Sequence, residues 1–203
     1  MIKNRQKLDT MMNISEFATG YLSGLSALIE TFDTHGFERI VEKILDAYHG
    51  DHRIFVMGNG GSGATASHFT CDINKGCCMD LSRKFKMICL NDNLPTLLAL
   101  ANDVSYEAVF VEQLKNFFQP GDLVIGISGS GNSPNVLRAI EYAGAHQGAT
   151  IGLSGFSGGK LAKRVDIAWV APVDDMQKIE DMHMIVVHMI MQAVHKQLHP
   201  AEM

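Results

Sequence analysis

Two groupings of histidine with carboxylate are the first candidates for chemistry. In "SHFTCD" (67–72), His68 and Asp72 stand four residues apart, the spacing that places two side chains on one helix face. Near the C-terminus, "KIEDMHMIVVHMI" (178–190) offers Glu180, Asp181, His183 and His188 on an otherwise apolar stretch. An imidazole and a carboxylate at i and i+4 can chelate a divalent cation. Glu180 and His188, about two helical turns apart, reach from the same side. Two histidines with two carboxylates form an N/O donor set suited to zinc or a similar ion. The plainer reading makes His68 and Asp72 a surface or capping pair, and His183 or His188 a hydrogen-bonded core histidine.

The second chemical signal is a pair of turns rich in glycine and serine. "RIFVMGNGGSG" (53–63) and "GDLVIGISGSGNSPN" (121–135) each run from an apolar segment into bare backbone and small hydroxyls. A helix N-terminus presents unpaired N–H groups and partial positive charge, which suits phosphate. Ser128, Ser130 and Ser133, with the N–H groups around Gly129 and Gly131, can enclose a phosphate monoester. No GxxxxGK[ST] is present, and Gly58, Gly60, Gly61 and Gly63 lack the dinucleotide spacing. The competing reading is that both are tight strand-to-helix connections, with Ser62 and Ser133 as N-caps.

The elements that must position these groups follow from the apolar pattern. Ile14, Phe17, Tyr21, Leu25, Leu28, Ile29 and Phe32 recur at helical steps, and a second helix is expected near 37–48. Strands are expected at the apolar runs in 53–63 (ending in its glycines), 85–92, 122–128, 149–155 and 165–172, with helices at 62–75, 133–147, 158–164 and 175–198 and one or two between 92 and 118. Short unalternating apolar strands separated by helices imply a parallel sheet covered on both faces. The expected fold class is α/β, a three-layer sandwich with a five-stranded parallel sheet and added N-terminal helices. Ligands of such sheets sit beyond the strands' carboxyl ends, where both glycine-serine turns fall.

The 203 residues suit one domain; 46% are apolar, 19% are charged, and the formal net charge is -5. No dense basic run marks a nucleic-acid surface. Cys71, Cys77, Cys78 and Cys89 form no CxxC framework and are expected to be idle thiols of a reducing compartment. The opening "MIKNRQKLDTMMNISEF" lacks the apolar core of a signal peptide, and "MHMIVVHMIMQAV" (182–194) is too short and too rich in histidine to span a membrane. A cytoplasmic protein without membrane or nucleic-acid partners is expected. Met182, Met184, Met189 and Met191 suit packing, while His146, His195 and His199 are expected on solvated segments without a role.

"GNGGS" (58–62), "HF" (68–69), "GISGSGNSPNV" (126–136) and "IEDMHMIVVH" (179–188) together resemble the sugar isomerase (SIS) domain, most closely the phosphoheptose isomerase family. The likeness covers nearly the whole chain, including "AND" at 101–103. It implies a single SIS domain over 1–203, flavodoxin-like, with residues 1–50 as a helical oligomerisation arm. It also implies a homotetramer whose active sites lie between subunits. By resemblance, Asn59, Gly60, Gly61 and Ser62 contact the sugar phosphate, and Ser128, Gly129, Ser130 and Ser133 form the phosphate loop. Asn102 and Asp103 match a substrate-contacting pair. His68, Asp72, Glu180 and His188 match the metal-binding and acid-base positions, with zinc as the implied ion, and Asp72 and Glu180 also match substrate-contacting positions.

Three positions depart from the family pattern. Glycine stands at 129 where threonine is usual, which removes a hydroxyl. Aspartate stands at 72 where the family has a catalytic glutamate, drawing the carboxylate back by about 1.5 Å. Glutamate stands at 180 in place of glutamine, adding a negative charge. The implied reaction converts sedoheptulose 7-phosphate to D-glycero-D-manno-heptose 7-phosphate through an enediol. Asp72 is expected as base or as metal ligand, and His188 as acid. The alternative is a non-catalytic SIS tetramer that regulates a protein partner or senses sugar phosphates.

Overall fold

The computed structural model describes residues 12–200, so the first eleven residues of the expected arm, and most of the stretch read for a leader, lie outside the described part. Two compact units divide at Phe32 and Asp33. The first contains α1 (Ile14–Glu30), which starts where Asn13 caps it, the side chain accepting from the Ser15 and Glu16 N–H groups at 3.1 and 3.3 Å. Ile14, Phe17, Leu22 and Ile29 stand exposed on it.

The second unit opens with α2 (Thr34–His49), capped by Asp33 on the Gly36 N–H at 2.9 Å. Ile40, Val41, Ile44, Ala47 and Tyr48 form its buried stripe, and it packs on α7, β5 and β1. Of the two helices expected in the arm, α2 is thus grouped with the sheet-bearing unit. The chain then runs β1 (Arg53–Gly58), α3 (Gly61–Cys71), β2 (Lys86–Cys89), α4 (Leu94–Asp103), α5 (Val109–Phe117), β3 (Leu123–Ser128), α6 (Pro134–Ala145), β4 (Ala149–Gly155), β5 (Ile167–Ala171) and α7 (Met176–Leu198).

The five strands are all parallel, in the order β2-β1-β3-β4-β5. Phe55 lies opposite Val124, Ile125 opposite Ile151, and Leu153 opposite Trp169. This is the flavodoxin-like order, whose switch point falls between β1 and β3. The central strands β1, β3 and β4 are buried almost throughout, whereas the edge strands β2 and β5 alternate. The apolar residues of the interior strands are therefore needed on both faces. Phe55, Met57, Phe110, Leu114, Val124, Val136 and Ile140 belong to a core cluster between the sheet and the α5–α6 layer.

The helix expected to continue to residue 75 does continue, but as a π turn over Asp72–Gly76. Asp72 stands at the junction where the helix widens, a feature frequent at functional sites. The short helix expected at 158–164 is a single 3-10 turn, Leu161–Lys163. No helix of the described residues is long and apolar enough to cross a membrane.

Candidate active site

Both glycine-serine turns lie at the carboxyl ends of β1 and β3, on the two sides of the switch point. Neither uses serine as a helix cap. α3 starts from Gly60, which has no side chain to cap with, and Ser62 lies inside its first turn. α6 starts from Ser133 without a side-chain cap, the Ser133 hydroxyl being instead 3.0 Å from that of Ser128. Two helix N-termini without serine caps thus lie at the same end of the sheet, the setting that favours an anion.

The second turn is braced by its backbone. Gly131 N–H donates to the Ser128 carbonyl at 2.9 Å, and Gly155 and Leu161 N–H groups donate to the Gly129 and Gly131 carbonyls, each at 2.9 Å. Gly60 (φ 53°) and Gly131 (φ 64°) adopt the left-handed conformation that favours glycine. At Gly131 a Cβ would also meet the Gly158 carbonyl oxygen at 2.2 Å. Asn59, Gly60, Gly61, Ser62, Ser128, Gly129, Ser130, Ser133, Met176 and Glu180 line a cleft of about 310 Å³. All eight residues expected to handle phosphate are therefore brought together.

Beside it, Gly61, Ala64, Thr65, His68, Glu180, Asp181 and Met184 line a second cleft of about 390 Å³. Glu180 and Gly61 border both. A Cβ on Gly61 would sit 2.6 Å from Glu180 Oε1, so the carboxylate rests against the N-terminus of α3, a position that the helix dipole favours for an anion.

His68, Asp72 and His188 converge. His68 Nε2 lies 3.1 Å from Asp72 Oδ2 and 2.9 Å from His188 Nε2, and one ligand atom from each of the three lies within 4.8 Å of the others. The spacing suits one cation: Zn–N bonds of about 2.0–2.1 Å in a tetrahedron set ligand atoms about 3.3 Å apart. Glu180 is outside that converging trio among the described residues. α7 rises about 12 Å from position 180 to 188, so Glu180 meets the glycine turn one end of the cleft away from His188.

Asn102 and Asp103 close α4, exposed, with Asn102 donating to Asp103 Oδ1 at 2.7 Å; neither lines the two clefts. His183 is the core histidine of the plainer reading: it is buried, and its Nε2 lies 3.1 Å from the Ser154 carbonyl oxygen. Its burial depresses the pKa to about 4, opposed by that hydrogen bond. His195 and His199 are not solvated bystanders. His195 Nδ1 lies 3.0 Å from the Gly76 carbonyl oxygen and His199 Nε2 3.1 Å from Asp80 Oδ1, fastening the end of α7 to the last residue of the π turn and to the segment that follows it. Cys77, Cys78 and Cys89 are buried, Cys71 is exposed and all four are free thiols; burial pushes Cys77 and Cys89 up to about 12.

Three residues that sequence reasoning passed over belong here. Met176 begins α7 and fills the space over Gly129, where a Cβ would lie 2.4 Å from its sulfur. Asn135 and Tyr106 bond to Asn59. Asn135 sits inside the "SGSGNSPN" motif, which was the available signal.

A model of the SIS domain matches residues 17–155. The phosphoheptose isomerase of Helicobacter pylori is 36% identical over 157 residues, 77% of this chain and 81% of that protein. The solved phosphoheptose isomerase of Neisseria gonorrhoeae superposes with a TM-score of 0.83 at 26% identity, over 89% of this chain and 98% of that one. The structure from Francisella tularensis gives 0.84 at 25% identity, over 92% of this chain and all (100%) of its own.

Proposed function

Because this chain belongs to the phosphoheptose isomerase family of SIS-domain proteins and is an aldose-ketose isomerase, we propose that it converts sedoheptulose 7-phosphate to D-glycero-D-manno-heptose 7-phosphate through an enediol. The observation that carries the reading is the pairing of two clefts. One is lined by serines at two helix N-termini, the other borders His68 of the His68–Asp72–His188 cluster, and Glu180 lines both.

The phosphate is held by Ser128, Ser130 and Ser133, by the N–H groups around Gly129, and by the Asn59–Ser62 turn. That grip is remote from the reacting carbons and orients them. Asp72 turns Oδ2 toward His68, and we assign Oδ1 to the proton transfer: it takes the proton from C1 of the ketose and returns it to C2. His188 protonates the C2 oxygen as the enediol forms and later receives the proton of the C1 oxygen. His68 orients both partners through its 3.1 and 2.9 Å contacts. His68, Asp72 and His188 would hold a divalent cation, with zinc suited to the donor set, while Glu180, which the resemblance adds to the ligands, stands apart at the glycine turn. Bound there, the ion supplies Lewis-acid polarisation of the substrate carbonyl.

The assembly we infer is a homotetramer with active sites between subunits, acting in the cytoplasm. The exposed apolar residues of α1 and the exposed Asn102–Asp103 pair support it, since a neighbouring copy would cover the first and bring the second to a shared cleft. The non-catalytic alternative gains nothing from the site, because a scaffold has no need of converging imidazoles and carboxylate. The test is a pair of variants: His188→Ala is expected to lower kcat by about 10²–10⁴-fold with little change in substrate binding, while Ser130→Ala mainly raises KM. Normal turnover by both variants would sink the assignment.

A further inference from the structure

The family resemblance assigns Asn59 to contact with the sugar phosphate, and its side-chain amide is engaged by the protein. Its Nδ2 donates to Asn135 Oδ1 at 2.9 Å, and its Oδ1 accepts from Asn135 Nδ2 at 2.8 Å and from the Tyr106 hydroxyl at 2.9 Å. Asn135 Oδ1 also accepts from the Val136 N–H at 3.0 Å. Asn135 is buried at 1% exposure, where an unpaired amide is costly and a reciprocal pair is held firmly.

The positions of the two amides give this pair its meaning. Asn59 immediately precedes Gly60, the first residue of the α3 cap, and Asn135 is the second residue of α6. The pair therefore ties the two helix N-termini to each other, 76 residues apart in sequence. Tyr106 adds a third segment, because it opens the 3-10 turn Tyr106–Ala108 that follows α4. The residue is 56% exposed, so burial does not explain the hydroxyl's position.

We propose that Asn135 and Tyr106 are positioning residues that act through Asn59 to fix the separation of the two helix N-termini, and hence the fit of the phosphate between them. The proposal rests on the reading of that cleft as the phosphate site. A phosphate group must meet both turns at once, so a small spreading of the pair weakens every donor from one side together. The chemistry at C1 and C2 is left in place, so the loss falls on binding.

The experiment is calorimetric titration of inorganic phosphate into the full-length protein, with thermal melting and steady-state kinetics on sedoheptulose 7-phosphate alongside. Tyr106→Phe removes one oxygen from an exposed ring and is expected to raise the phosphate Kd and the substrate KM about fivefold each, with kcat and Tm nearly unchanged. Asn135→Ala is expected to do more, and Asn59→Ala/Asn135→Ala no more than the worse single variant, because the three groups act as one unit. Unchanged phosphate affinity in Tyr106→Phe overturns the proposal, as does a fall in kcat and Tm at constant Kd. Absence of phosphate binding in the unmodified protein removes the phosphate reading itself, and this inference with it.

Discussion

Acidification should destabilise this protein through His183, and the size of the effect follows from its surroundings. The imidazole is buried on the face of α7 turned to β4, with Nε2 on the Ser154 carbonyl oxygen, and Nδ1 has no hydrogen-bond partner among the described residues. Burial holds its pKa at about 4, against 6.5 for the ordinary side chain. Above pH 6.5 folded and unfolded chains both carry the neutral ring, and the site adds no pH dependence. Between 6.5 and about 4 the unfolded chain binds a proton that the folded one refuses, so stability falls as pH falls, by up to about 1.4 kcal/mol per pH unit. Below about 4 the loss levels off near 3 kcal/mol, a large share of the roughly 5–15 kcal/mol typical of a domain. Urea unfolding followed by circular dichroism from pH 7.5 to 4, on the wild type and on His183→Leu, isolates this term. Titrating groups common to both chains cancel in the difference. The wild-type advantage should shrink by about 3 kcal/mol across that range. A difference that stays flat with pH would refute the reasoning.

Two further outcomes follow from departures from the family pattern. Glu180→Gln removes the carboxylate resting on the α3 N-terminus, so inorganic phosphate should bind about threefold to tenfold more tightly in the presence of chelator; calorimetry showing equal affinities would contradict this. Gly129→Thr drives a Cβ to within 2.4 Å of the Met176 sulfur. It should cost about 1–3 kcal/mol by overpacking, recovered in part by adding Met176→Ala, as read from urea midpoints.

The parts of the fold legible in sequence were those set by local pattern. Unalternating runs such as "DLVIGIS" marked interior parallel strands because both faces of β3 are covered, and the i, i+4 spacing of His68 and Asp72 placed them together because a helix enforces it. Pattern failed where partners are remote. Nothing local pairs Asn59 with Asn135, 76 residues on, or with Tyr106, 47 residues on. The π turn over Asp72–Gly76 left no sign of its own, because Asp, Asn and Gly in "DINKG" read equally well as the fraying end of an ordinary helix. Ser62 and Ser133 have the composition of N-caps, and only the geometry shows that their hydroxyls do not cap. His195 and His199 looked solvated because their neighbours are polar, whereas their partners, Gly76 and Asp80, come from 119 residues earlier.

The central claim is enediol chemistry at the Asp72–His188 end of a phosphate-holding cleft. Its most direct test is proton NMR of sedoheptulose 7-phosphate in D₂O with the purified protein, with zinc and again with chelator. The account predicts loss of a C1 proton signal and growth of an aldose resonance, both suppressed by the chelator. Phosphate-dependent binding of the sugar with no exchange at C1 in either condition would contradict it.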